Sequence, residues 1–263
     1  METPGAGWMT VGGVRLEYAW HGPAPADAPT IVFLHEGLGS VSTWRGFPAR
    51  LAEACGCGAL VYARSGYGRS DPAPPPRPVG FMHDEAEVLD AVLREGGVRE
   101  AILFGHSDGA SIALIHAARF PDSCVRAVVV EAPHVFVEEC TVASIALLPE
   151  RYRATEMRAK LARHHADVDA TFGGWTEVWL RPEFRAWSIA DLLPAMRLPV
   201  LVIQGDADEY GTTAQVDAIR ASSSGPVEVV ALPGRGHAPH AEQPDAVLAA
   251  AAEFIGRTAI APD

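Results

Sequence analysis

Residues 105–109 read Gly-His-Ser-Asp-Gly and directly follow the apolar run Ala101-Ile-Leu-Phe104. A strand that passes through Gly-x-Ser-x-Gly into a helix holds the serine hydroxyl at the top of a sharp turn. Such a turn brings the residues two before and two after the serine close together, so side chains larger than glycine would clash there. The small and apolar residues that follow predict a helix whose N–H groups point towards the turn. This stretch predicts that Ser107 is a nucleophile.

Apolar runs that predict strands alternate with helical patterns along the rest of the chain. Strands are predicted at residues 8–11, 14–20, 30–35, 58–63, 101–104, 125–130, 199–204 and 227–231. Helices are predicted at residues 43–54, 81–95, 109–119, 213–221 and 245–256. The first two strands form a hairpin at the edge of the sheet. Strands that alternate with helices predict an α/β fold, with a mostly parallel sheet of eight strands flanked by helices.

The stretch from residue 138 to residue 193 differs in composition from the rest of the chain. It is helical in character, contains no convincing strand, and holds Trp175, Trp179 and Trp187. We expect a helical cap, residues 135–195, inserted into a core domain that comprises residues 1–134 and 196–263.

An activated serine needs a base, and the base needs an acid that orients it. The strand 199–204 leads into Asp206 and Asp208, and the strand 227–231 leads into His237. Strand ends of this kind are where α/β proteins build their sites. We predict Asp208 as the acid and His237 as the base. Asp206 is expected to cap its turn, but it stays an alternative acid, as does Glu131 at the end of strand 125–130. His240 is the alternative base and is expected to be structural.

An oxyanion formed by attack of Ser107 needs N–H donors. The backbone N–H of Asp108 is one candidate, and the loop after strand 30–35, His35-Glu-Gly-Leu-Gly39, offers another. Gly37 is the expected second donor because glycine lets the backbone turn towards the substrate oxygen.

The chain resembles proteins of the α/β-hydrolase fold, in the branch that holds esterases, lactonases and meta-cleavage hydrolases. The resemblance is carried by residues 35–39, Arg64-Ser-Gly-Tyr-Gly-Arg-Ser-Asp71, residues 105–109, Gly205-Asp-Ala-Asp208 and Gly236-His-Ala-Pro-His-Ala-Glu-Gln-Pro244. It implies a Ser-Asp-His triad, an oxyanion hole and hydrolysis without a cofactor or a metal. One position departs from the family, because Glu36 stands where the family usually has glycine. A carboxylate beside an oxyanion hole opposes negative charge, so Glu36 either faces outward or forms a salt bridge, or it binds loop backbone or Asp108 and shapes substrate choice.

The leading functional hypothesis is hydrolysis of a carboxylic ester, lactone or thioester through an acyl-enzyme on Ser107. Three alternatives stay open: a carbon–carbon bond hydrolase of a dienoate, a ligand-binding protein without turnover, and a lyase. Hydrolysis of a dienoate needs a cation that binds the substrate carboxylate. Arg64, Arg69 and Arg153 are candidates, although a position on the solvated surface explains the presence of each arginine better. The expected substrate pocket is lined by Glu36, Leu38, His134, Phe136, Trp175 and Trp179. Core packing is an equal alternative for the tryptophans, and His164 and His165 are expected to be solvated.

Composition narrows the class of partner. The net charge is −12, which argues against nucleic acid and anionic membranes. No apolar run is long enough to span a membrane, and the four cysteines show no zinc-ligand spacing. We expect a cytoplasmic protein with reduced thiols that acts on a small molecule with an acyl group; a homodimer is compatible with the sequence.

Overall fold

The computed structural model describes residues 5–258, which form one eight-stranded sheet with helices on both faces. The strands are β1 Ala6–Val11, β2 Val14–His21, β3 Thr30–Leu34, β4 Gly58–Tyr62, β5 Ala101–His106, β6 Val125–Glu131, β7 Val200–Gly205 and β8 Val227–Leu232. Their order is β1-β2-β4-β3-β5-β6-β7-β8. The β1–β2 and β2–β4 pairs are antiparallel and all others are parallel. The expected α/β fold and its edge hairpin are confirmed.

Ten α-helices lie within residues 5–258. They are α1 Phe47–Cys55, α2 Phe81–Glu95, α3 Asp108–Arg119, α4 Glu139–Ala146, α5 Leu148–Ala154, α6 Met157–Leu161, α7 Val168–Leu180, α8 Thr213–Ser222, α9 Pro239–Glu242 and α10 Pro244–Thr258. Short 3-10 helices span Val41–Trp44, Pro182–Ala186 and Leu193–Ala195. None of these helices is both long enough and apolar enough to cross a membrane.

The sheet has a separate apolar layer on each face. Along β3, Val32 and Leu34 join the layer formed with α2, α3 and the helices between β6 and β7. Ile31 and Phe33 join the opposite layer, formed with α1 and α10. This division follows from the period of two along a strand. All of β3 is buried because both faces are covered, which explains its continuous apolar run.

The segment between β6 and β7 contains α4 to α7, as its composition predicts, and no strand longer than the isolated bridge between Phe136 and Ser188. The helix predicted at 43–54 is wrong at its start. The chain forms a 3-10 helix over Val41–Trp44, Arg45 then has a φ of 53°, and α1 begins at Phe47. Pro48 in the first turn favours this start because the first-turn N–H groups have no partner in a helix.

Candidate active site

The turn that carries Ser107 lies between β5 and α3. β5 ends at His106, α3 begins at Asp108, and Ser107 between them has a φ of 54°. A positive φ is rare outside glycine and often marks a functional site. A Cβ on Gly105 would lie 2.3 Å from the carbonyl oxygen of Gly109, and a Cβ on Gly109 would lie 2.1 Å from that of Leu34. Both glycines are therefore required by the close approach of backbone.

Ser107, His237 and Asp208 form one continuous hydrogen-bonded chain. The Ser107 Oγ lies 2.9 Å from His237 Nε2, and His237 Nδ1 lies 2.9 Å from each Asp208 carboxylate oxygen. A carboxylate accepts only, so Nδ1 carries the proton and Nε2 is left to accept the Ser107 proton. The sequence singled out these three residues from separate loops, and the structure brings them together.

Asp208 is held in place by two residues that the sequence analysis did not single out. The Gln204 amide donates to Asp208 at 2.8 Å, and the Tyr210 N–H donates to it at 2.8 Å. Burial by itself would raise the pKa of Asp208, but the hydrogen bond and the charge of His237 outweigh burial, and the pKa is lowered. The Tyr210 ring also lies 4.7 Å from the His237 ring. In the sequence, the only sign that Tyr210 could hold Asp208 is that it stands two residues after it.

The alternative acids and the alternative base have other partners. Asp206 accepts a hydrogen bond from the Gly234 N–H at 2.6 Å, which fits a turn cap. Glu131 accepts from His240, whose Nδ1 lies 2.5 Å from its carboxylate, and the two side chains are buried. Burial opposes ionisation of Glu131, but His240 outweighs it and lowers the pKa. Glu131 and His240 therefore form a pair of their own beside the candidate triad.

A metal is one further use for this pair. Ligand atoms of His106, Glu131 and His240 lie within 4.8 Å of one another. However, His240 donates to Glu131, and His106 Nε2 lies 2.7 Å from the His237 carbonyl oxygen, so protein partners already engage these groups. The donor set therefore fits a hydrogen-bonded cluster better than a metal site.

Both predicted oxyanion donors meet the same side chain. Asp108 is the first residue of α3, so its N–H has no acceptor within the helix. The Trp175 indole lies against Gly37, where a Cβ would be 2.1 Å from its Nε1, and that Nε1 donates to the Asp108 carboxylate at 2.9 Å. Burial raises the pKa of Asp108, against the opposing charge of Arg64. Trp175 therefore contacts both Gly37 and Asp108.

Glu36 forms an ion pair with the residue that precedes the serine. Its carboxylate lies 3.6 Å from His106 Nδ1 and folds over Gly39, where a Cβ would be 2.3 Å from Glu36 Oε2. Burial would raise the pKa of Glu36, but the nearby charge of His106 holds it far below the ordinary value. Of the two expectations for Glu36, the structure agrees with the salt bridge.

The other predicted pocket residues divide into two groups. The His134 ring lies 5.7 Å from the His237 ring and 5.3 Å from the Trp179 ring, and Trp179 lies 6.3 Å from Trp175. The His134 ring therefore lies beside the rings of both His237 and Trp179. Phe136 and Leu38 are half-buried and pack against the apolar layer on the α3 side of the sheet. Trp187 stacks on Phe184, with centroids 5.6 Å apart, and belongs to the packing of the helical segment.

Two polar residues differ from the surface setting expected for them. Arg64 is only 1% exposed, and its guanidinium donates to the carbonyl oxygens of His35 at 2.6 Å and Glu36 at 3.1 Å. His165 is buried too, accepting from the Gly68 N–H at 3.0 Å and donating to the Leu38 carbonyl at 2.9 Å. Solvation was therefore the wrong expectation for both. Each side chain forms hydrogen bonds with the backbone of a loop, and no sequence pattern reveals such a contact.

Solved structures with the same architecture were found, while a search of curated protein sequences found no match. A carboxylesterase structure from the thaumarchaeon Nitrososphaera gargenis is 19% identical, with a TM-score of 0.77 over 95% of this chain and 98% of that one. The enol-lactonase from Burkholderia xenovorans LB400 is 21% identical, with a TM-score of 0.75 over 95% and 100%. The structure named VinJ is 26% identical, with a TM-score of 0.75 over 97% and 99%.

The sequence also matches a family description over most of its length. Residues 31–251 match the model of the alpha/beta hydrolase family. That range runs from β3 into α10 and includes Ser107, Asp208 and His237. The match supports hydrolase as the class of activity. This chain belongs to the alpha/beta hydrolase family.

Proposed function

We propose that the protein is a serine hydrolase that cleaves a carboxylic ester, lactone or thioester through an acyl-enzyme on Ser107. The observation that carries the proposal is the unbroken chain from Ser107 Oγ through His237 to Asp208, with contacts of 2.9 Å. Its chemistry is that of an activated nucleophile with an oriented base.

The reaction proceeds in two halves. His237 Nε2 takes the Ser107 proton as Oγ attacks the carbonyl carbon, and the oxyanion accepts hydrogen bonds from the N–H groups of Asp108 and Gly37. The His237 proton then passes to the leaving alcohol or thiol as its bond to the acyl carbon breaks. A water molecule, deprotonated by His237, attacks the acyl-enzyme, and His237 returns that proton to Ser107 Oγ as its bond to the acyl carbon breaks and the acid leaves. General base catalysis contributes about 10²–10⁴-fold, and one oxyanion donor contributes about 10²–10³-fold.

We further propose that residues 135–195 act as a cap on a core formed by residues 1–134 and 196–263. Ser107 is 5% exposed, and Trp175 of α7 contacts the residues on both sides of the expected oxyanion position. Apolar rings of Trp175 and Trp179 beside His134 suit an uncharged acyl group.

The carbon–carbon bond hydrolase is less well supported. That reaction needs a free cation for the dienoate carboxylate, but Arg64 is engaged by the carbonyls of His35 and Glu36. Arg69 and Arg153 are exposed.

The test is turnover of a p-nitrophenyl ester series from acetate to decanoate by the wild type and by Ser107→Ala. We expect release of nitrophenol that depends on chain length and is lost in the variant. Release that persists in Ser107→Ala, with hydrolysis in buffer subtracted, would refute the proposal.

A further inference from the structure

His106, immediately before Ser107, has both ring nitrogens turned towards acceptors. Its Nε2 lies 2.7 Å from the backbone carbonyl oxygen of His237, and its Nδ1 lies 3.6 Å from the Glu36 carboxylate. A carbonyl only accepts, so Nε2 carries a proton. A neutral ring would then direct the lone pair of Nδ1 at a carboxylate. The geometry therefore favours an imidazolium whose Nε2 donates to the carbonyl and whose Nδ1, which has no hydrogen-bond partner within residues 5–258, faces the carboxylate as an ion pair.

The charges around His106 agree with this protonation state. Glu36 faces it from the loop after β3, Glu131 from the end of β6, and His237 and His240 from the chain after β8; His134 lies farther off. Burial opposes the charged ring, but the nearby carboxylates of Glu36 and Glu131 outweigh burial and raise the pKa of His106 to about 9. The His106 ring is only 3% exposed, whereas the Glu36 side chain is 28% exposed, so water reaches the pair from the carboxylate side alone.

The Glu36–His106 pair connects the three backbone segments that catalysis needs. Glu36 precedes Gly37, the proposed oxyanion donor, and its own carbonyl is held by Arg64. His106 precedes Ser107 and donates to the backbone of His237. A carboxylate near the oxyanion position would oppose the transition state if it were unpaired, and the imidazolium balances it.

We propose that Glu36 and His106 are a positioning pair for the proposed hydrolase, which neutralises the carboxylate beside the oxyanion position and ties the Gly37 loop to the backbone of His237. This inference rests on the proposed function. It assigns a role to the one residue where the sequence departs from the resemblance, because Glu36 is tolerated there through its pairing with His106.

Four variants separate the two tasks of His106. A glutamine amide can take the place of Nε2 and keep the donor to the His237 carbonyl, so His106→Gln removes only the charge. An asparagine amide can take the place of Nδ1, so His106→Asn keeps the donor to Glu36 and loses the one to His237. Glu36→Gln and the double variant Glu36→Gln/His106→Gln complete the cycle. Glu139→Gln, which breaks an exposed ion pair with Arg185, is the matched control.

The cycle has a distinctive expected result with p-nitrophenyl butyrate. His106→Gln leaves the Glu36 charge unpaired, so kcat falls about 10- to 100-fold while KM stays nearly unchanged, because the oxyanion exists only in the transition state. The double variant recovers to within about threefold of the wild type, since no unpaired charge remains. His106→Asn loses kcat through misplacement of His237. A cooperative thermal unfolding transition is used to check that each variant is folded.

The pH dependence is a readout that simple packing would not produce. In the wild type, kcat falls above pH 9 as His106 loses its proton, and the double variant lacks this alkaline decline. Imidazole NMR of the whole protein follows the protonation of His106 directly and needs no turnover. The wild-type ring is expected to be charged at pH 8, and its pKa is expected to fall in Glu36→Gln.

The outcomes distinguish this inference from the proposed function. No turnover of any ester by the wild type would refute the proposed function, and NMR would still report whether the pair is charged. Turnover that is equal in wild type and His106→Gln, or a double variant no better than His106→Gln, would refute the positioning pair alone. A neutral His106 at pH 8 would refute it as well.

Discussion

At the scale of single residues, the turn at Ser107 depends on two glycines that have no room for a methyl group. The backbone of Ser107 is strained, and the contact of β5 with α3 holds it in place. The pattern Gly-x-Ser-x-Gly was sufficient to predict this feature because its cause is local: backbone atoms of neighbouring turns approach too closely for any Cβ.

Gly109→Ala is expected to disrupt the turn. Its Cβ would lie 2.1 Å from the Leu34 carbonyl oxygen, so the backbone of β3 or α3 must move. We expect a loss of several kcal/mol in the free energy of unfolding, about the cost of a severe steric misfit in a packed core. Urea unfolding measures it, with Gly173→Ala as a control because a Cβ there meets no atom within 4 Å. Equal stability of both variants would contradict the steric argument.

The proposed role of Asp208 as the acid is tested by two aspartates that lie two residues apart. Asp208→Asn leaves a side chain that no longer stabilises the protonated His237, and kcat should fall about 10³–10⁴-fold. Asp206→Asn affects only the turn bond to the Gly234 N–H, and its kcat should change less than about threefold. Steady-state kinetics with one ester measures both kcat values. A larger loss of kcat in Asp206→Asn than in Asp208→Asn would assign the acid to Asp206 instead.

Residues that follow the end of a strand could be predicted from the sequence. Residues whose role depends on a contact with a distant loop could not. Ser107, Asp208 and His237 each follow a predicted strand, and the structure joins them. Arg64 binds the carbonyls of His35 and Glu36, some 29 and 28 positions earlier in the chain. Such a contact depends on loop conformation, which no periodicity encodes.

At the scale of elements, α7 is joined to the turn after β5 by one buried hydrogen bond. Trp175 and Trp179 are four residues apart and so share a face of the helix. The Trp175 Nε1 donates to Asp108, while the buried Nε1 of Trp187 has no hydrogen-bond partner within residues 5–258. α7 is therefore anchored by Trp175 through a polar contact as well as by packing.

Replacing these tryptophans with phenylalanine separates the two contributions. Trp175→Phe leaves the buried Asp108 carboxylate without a donor, so the free energy of unfolding should fall by about 1–3 kcal/mol beyond the loss from the smaller ring. Trp187→Phe removes ring area but no hydrogen bond and is the matched control. Equal losses in urea unfolding of both variants would show that the bond to Asp108 contributes nothing.

Most helices and strands could be predicted from the sequence. The errors lie where packing against other elements determines the start or the division of a helix. The alternation along β2 and the buried runs of β3 and β7 follow from which faces the sheet covers. The start of α1 was missed because the helical pattern continues through Arg45, whose positive φ breaks the helix. The division of residues 139–180 into four helices depends on their mutual packing, which composition does not specify.

At the scale of the whole molecule, buried histidines set how stability depends on pH. The raised pKa of His106, about 9, means that the folded protein holds a proton that the unfolded chain releases above about 6.5. Its contribution is complete below 6.5 and is lost as the pH rises to about 9. Burial lowers the pKa values of His134 and His116, so their contribution is lost as the pH falls below 6.5, where the unfolded chain takes up protons.

Stability is therefore expected to be greatest near pH 6.5 and to decline on both sides. Tm measured by circular dichroism across pH 5–10 should show this maximum. In His106→Gln the decline between about pH 6.5 and 9 should become shallower. A wild-type Tm that keeps rising up to pH 9 would contradict the assigned charge of His106.

The most direct test of the central claim is the intact mass of the protein during turnover of a p-nitrophenyl ester. We expect a transient mass increase equal to one acyl group, located on Ser107 by peptide mapping and absent in Ser107→Ala. Turnover of the ester without an adduct at short reaction times, or an adduct on another residue, would contradict it.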